Sequence, residues 1–168
     1  DYMLYDLRGY HGISAEELLA QYRNNQEENG HVKGVANWLV YTPGMLYAVA
    51  QSYLLSRDRS AFEKLLPSSL KAMDWCLAEI RRSSERNGPT RGLVFGPLND
   101  GTGEGIWAFN QAYVYAGLHL FGRALRETGH PRAAEALDAA RAVRESIAGG
   151  FGAATVNSPL AQLRDGTW

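Results

Sequence analysis

Two carboxylates in one glycine-rich run are the groups in this sequence best placed to do chemistry. The run Gly92-Leu-Val-Phe-Gly-Pro-Leu-Asn-Asp-Gly-Thr-Gly-Glu-Gly-Ile-Trp107 carries Asp100 and Glu104 just ahead of an apolar stretch that predicts a helix. At a helix start, free amides and the helix dipole favour an ionised carboxylate and lower its pKa. Glycosidic cleavage needs the opposite for one of a pair: a carboxyl kept protonated as general acid, beside a second that activates water or attacks. Two acids this close push their pKa values apart, which would divide the roles. The same residues fit plainer readings, Asp100 as an Asx-type turn before Gly101 and Glu104 as a helix N-terminal acid. Gly101-Thr-Gly-Glu-Gly105 also resembles a phosphate-cradling run, but no Lys-Ser/Thr follows and no convincing strand precedes it.

Around this run stand residues suited to holding a ligand. Trp38, Tyr41, Trp107 and Trp168 fall at or beside the loop segments, and flat aromatic faces stack on the C–H surface of a sugar ring. Polar neighbours such as Asn99 and Arg164 would satisfy sugar hydroxyls. Each aromatic taken singly also fits a core position. His31, after Asn29-Gly30, is either a substrate contact or a solvated loop histidine, and Arg164 and Asp165 either meet substrate or pair with each other. His11, His31, His119 and His130 lack zinc-binding spacing and have no cysteine partners, so no metal is expected and no cofactor is implied. A nucleophile-elbow sequence is absent, which leaves a serine hydrolase without support.

The elements that must position these groups are helices. Ser14-Ala-Glu-Glu17 fits a capping box and predicts a helix from there to about Asn25. The polar stretch from Glu27 to Asn37 is a loop ending at Trp38. Residues 42–56 are apolar nearly all round, with Pro43 suited to a first turn, and predict a buried helix. After Arg57-Asp-Arg59, Phe62, Leu65, Leu66, Leu70, Met73, Leu77 and Ile80 recur at steps of three and four, an amphipathic helix over 60–86 with a kink or new first turn at Pro67. A loop over 87–103 precedes a second buried helix from about Glu104 to Leu125, with Trp107, Phe109 and Tyr113 among its apolar residues. Gly129-His-Pro131 ends it, and the single polar stripe of Arg132 to Ser146 marks another outer helix.

Buried helix, short turn, amphipathic helix and long loop thus repeat. Short turns make antiparallel neighbours, so the loops around 27–40, 87–103 and 150–168 gather at one end. The fold expected is all-α, antiparallel hairpins forming part of an (α/α)6 toroid; an open helical solenoid is the other arrangement of such hairpins. The tetratricopeptide signature and its 34-residue period do not match.

With 168 residues, 45% of them hydrophobic and a net charge of −1, the chain is long enough for a real core and too apolar to be disordered. No basic run gives a footprint for nucleic acid or an anionic membrane. Neither partner is expected. Cys76 alone rules out an intrachain disulfide and leaves the compartment open. No apolar stretch reaches a membrane span, and the opening residues show no targeting segment, so a soluble protein of unknown location is expected. Both ends read as cut.

Asn29-Gly-His-Val-Lys-Gly34 with Trp38, Met73-Asp-Trp75, and Gly92-Leu-Val-Phe-Gly-Pro-Leu-Asn-Asp-Gly101 with Trp107 resemble the six-hairpin glycosidases, over most of the chain. The resemblance implies an (α/α)6 toroid of which roughly two and a half hairpins are present over 1–168, the other hairpins being its partners. It implies a carbohydrate-active enzyme acting on an oligosaccharide or glycoside, a glycoside hydrolase first of all. In such proteins the general acid lies in a loop leading into an inner helix, the place that Asp100 or Glu104 would occupy. The same fold serves inverting glycoside hydrolases, glycoside phosphorylases, sugar epimerases and uronyl hydrolases, so the fold alone does not fix the reaction. A non-catalytic α-solenoid interaction module is the alternative from another class. The fragment by itself is expected to be inactive.

Overall fold

The computed structural model describes residues 2–34, 38–97, 103–158, 162 and 164–166. Among them six helices form: α1 (Tyr2–Leu7), α2 (His11–Asn25), α3 (Tyr41–Ser56), α4 (Arg59–Ser84), α5 (Ala108–Glu127) and α6 (Ala133–Asn157). The only strands among the described residues are β1 (Gly96–Pro97) and β2 (Glu104–Gly105), an antiparallel pair with Gly96 opposite Gly105 and Pro97 opposite Glu104. The protein is all-α, as its hydrophobic periodicity predicts.

The helices form two layers. Each short turn folds a helix back on its predecessor, giving the pairs α1/α2, α3/α4 and α5/α6, while α3 also packs between α1 and α5. The inner helices α3 and α5 run parallel. At one end Arg57 pairs with Glu127; a Cβ on Gly117, midway along α5, would meet the carbonyl of Pro43, near the start of α3, at 2.3 Å. Only glycine allows that approach. The core between the layers holds Leu46, Val49, Phe62, Met73, Leu118 and Phe121. Full burial of side chains of this size contributes roughly 1.5–3 kcal/mol each.

Several expectations need correction. Ser14 does not cap a helix: α2 starts three residues earlier, and the Ser14 hydroxyl is buried and donates to Asp6 Oδ2 at 2.6 Å. That bond exists because α1, too short to show a hydrophobic period, lies alongside. Pro67 causes no break, and α4 runs on through it. Proline is on the exposed side, so water can reach the carbonyl left without its usual donor. The helix expected from Glu104 begins only at Ala108, because Glu104 and Gly105 are taken up in β2. Finally, α6 continues to Asn157, well past Ser146, shortening the expected last loop.

Candidate functional site

The long connections α2–α3 and α4–α5 both join at the end where α3 and α5 begin, and a cleft of about 670 Å³ opens there. Its floor and walls come from the last turns of α2 (Gln21, Asn25), the α2–α3 loop (Lys33, Gly34, Trp38), the start of α3 (Tyr41, Gly44) and the first turns of α5 (Phe109, Tyr113).

The loop is fixed on both sides. Its ends are clasped by the Lys33 amide donating to Asn25 O at 2.9 Å and by the bridge between Gln26 and Val32. Its outer side is pressed onto α4: Gly30, at φ +93°, lies where a Cβ would sit 2.0 Å from Lys71 O, and Gln26 Nε2 donates to Ser68 O at 2.8 Å. Any other residue at Gly30 would lift the loop off the helix. The Val32 amide then donates to the buried Thr42 hydroxyl, tying the loop to the first turn of α3.

This framework sets out the aromatic rings. Trp38 and Tyr41 stack nearly parallel, with centroids 5.5 Å apart and planes 7° from coplanar alignment. Tyr41 lies flat on Gly34, where a Cβ would come within 2.1 Å of the ring. On the α5 side Phe109 and Tyr113 form a tilted pair at 4.9 Å. Both were expected inside a helix buried on most sides; they remain 43% and 38% exposed and face the cleft. Besides Lys33 and the tyrosines, the polar side chains lining the cleft include neutral amides, with Asn25 Nδ2 donating to Gln21 Oε1 at 2.8 Å.

The other residues singled out in the sequence are placed differently. His31 turns away from the cleft: its ring stacks on Trp75 of α4 at 4.6 Å, and Nδ1 lies 3.3 Å from Glu27 Oε2. It is buried, not a solvated loop histidine, and burial holds its pKa below the ordinary histidine value while Glu27 opposes that. Trp107 precedes α5 and lies over β2, where a Cβ on Gly105 would approach its indole to 3.2 Å. It sits at the same end as Trp38 but outside the cleft lining. Glu104 is exposed on β2, and the helix-dipole argument does not apply to it, since α5 starts later and has no acid in its first turn. Arg164 and Asp165 are exposed in a turn near the end of the chain. Asn99, Asp100 and Trp168 lie outside the described residues.

The positioning of Val94 and Pro97 depends on two side chains that hydrophobic patterning passes over. Gln111, buried in α5, accepts from the Val94 amide at 2.9 Å and donates to Val94 O at 2.8 Å, so one amide satisfies both backbone groups of a loop residue. Asn110, also buried, donates to Pro97 O at 3.2 Å. The signal was present as two adjacent amides in the otherwise apolar first half of the helix. A carboxyl with a raised pKa does occur, at Glu79, where burial outweighs Arg82 and Arg86; it belongs to an ion pair with Arg82 on the outer helix α4. Among the described residues no cluster of His, Cys, Asp and Glu is arranged to hold a metal ion. No helix of the described residues is long and apolar enough to cross a membrane.

Against protein-family models, curated proteins and solved structures, the chain finds no match.

Proposed function

We propose that the cleft binds a saccharide and that the chain is part of a carbohydrate-active enzyme of the six-hairpin type, a glycoside hydrolase. The observation that carries this is the parallel Trp38–Tyr41 pair, set over a glycine and flanked by the Gln21–Asn25 amides. An aromatic platform beside uncharged donors and acceptors is the surface a pyranose offers a complement to: an apolar C–H face ringed by hydroxyls. In this reading the three helix pairs are about half of an (α/α)6 ring with its loop end as the active face. Asp100 or Glu104, which follow in the chain the Val94 and Pro97 backbone held by Gln111 and Asn110, donates the proton to the leaving oxygen.

A glycan array with the 168-residue chain tests the binding half. Trp38→Ala should abolish the signals while leaving the helical circular dichroism intact; an array without signals removes the saccharide reading and favours the interaction module. The catalytic half is tested in a chain carrying the whole ring. Asp100→Asn or Glu104→Gln should lower glycoside turnover by at least about a hundredfold, and undiminished turnover by both ends the assignment. Turnover that needs phosphate, or a product of unchanged size, would make it a phosphorylase or an epimerase.

A further inference from the structure

We infer that the cleft is built for an uncharged saccharide and discriminates against acidic ones, because the lysine at its wall is already neutralised by a partner that the loop itself imposes. The inference rests on the saccharide reading above and specifies its ligand class.

Among the described residues lining the cleft, Lys33 is the one with a charge. Its Nζ lies 2.5 Å from Glu27 Oε1, while Glu27 Oε2 faces His31 Nδ1 at 3.3 Å. The pairing is set by backbone register. The Lys33 amide donates to Asn25 O and the Glu27 amide to His31 O, so the two side chains leave opposite arms of one tight loop and meet. Glu27 stays ionised, its pKa lowered first by the bond to Lys33, and buried His31 favours its neutral form near pH 7. The group therefore adds no net charge to the wall.

The remaining polar side chains among the described lining residues are amides, phenols and the Trp38 indole. A uronic or sulfated sugar reaching for Lys33 would have to share its ammonium with Glu27. It would then place one anion beside another, and that repulsion opposes the attraction to the lysine. A neutral pyranose meets no such penalty and uses the aromatic platform and the amides.

The test is titration of the 168-residue chain, followed by tryptophan fluorescence, with a neutral trisaccharide taken from the array and with its uronic-acid counterpart, at low and high salt. The neutral ligand should bind with little salt dependence and the acidic one at least about tenfold more weakly. Glu27→Gln frees Lys33 and should narrow or reverse that ratio, while Trp38→Ala should abolish binding of both. Tighter, salt-sensitive binding of the acidic sugar overturns this inference and leaves the saccharide reading standing. Neutral binding that survives Trp38→Ala also overturns it, by placing the ligand elsewhere. Failure of every neutral and acidic glycan takes down the saccharide reading itself.

Discussion

The two ends of the helix layers treat polar and aromatic groups in opposite ways. At the short-turn end Asp6, the most buried carboxylate among the described residues, is bonded on every side: His11 Nδ1 lies at 2.9 Å, and the Ser14 and Ser52 hydroxyls donate at 2.6 and 3.2 Å. Those bonds lace α1 to α2 and α3. At the loop end, rings that could have been buried, Phe109 and Tyr113, are left beside an open cleft, and Tyr41 is held flat by a glycine. A buried acid is thus no sign of chemistry where its partners are complete, whereas exposed aromatics held in a fixed array mark the end available to a ligand.

The contrast breaks if the two ends respond alike to substitution. The largest effect is expected for Asp6→Ala, which strips three groups of their acceptor and should lower stability by about 3 kcal/mol in urea unfolding while leaving glycan affinity unchanged. Gln111→Leu should cost about 2 kcal/mol, because both backbone groups of Val94 lose their partner inside the fold. Its distinguishing readout is faster hydrogen exchange at the Val94 amide, ahead of global unfolding. Gly34→Ala should do the reverse of Asp6→Ala, costing about 1 kcal/mol or less in stability but weakening ligand binding about tenfold as the Tyr41 ring is pushed from its seat.

The smallest effect concerns pH. Burial lowers the pKa of His31 in the folded chain below its ordinary value near 6.5, so the unfolded chain takes up the proton first as pH falls. The associated stability is present above the unfolded value and is lost as pH falls through the folded one. His31→Phe, which keeps a ring over Trp75, should flatten the stability profile in that acidic window, as measured by melting temperature against pH; an unchanged slope would show that His31 does not carry it.

Hydrophobic periodicity determined α3, α4, α5 and α6 and their alternation, because a 3.6-residue period is a local property that burial of one face enforces. It also located the end at which the α2–α3 and α4–α5 loops gather, since short turns leave no other arrangement for consecutive helices. It was blind to α1, whose six residues span fewer than two turns, and it misread Ser14, whose hydroxyl serves Asp6 across the helix pair. Which aromatic faces what was decided only by tertiary packing: His31 goes to Trp75, Trp107 to Gly105, and Phe109 and Tyr113 to the cleft. The reason is that loop direction is set by long-range contacts, Gly30 on the backbone of α4 and Gln111 on Val94. Spacing along the chain carries no record of such contacts.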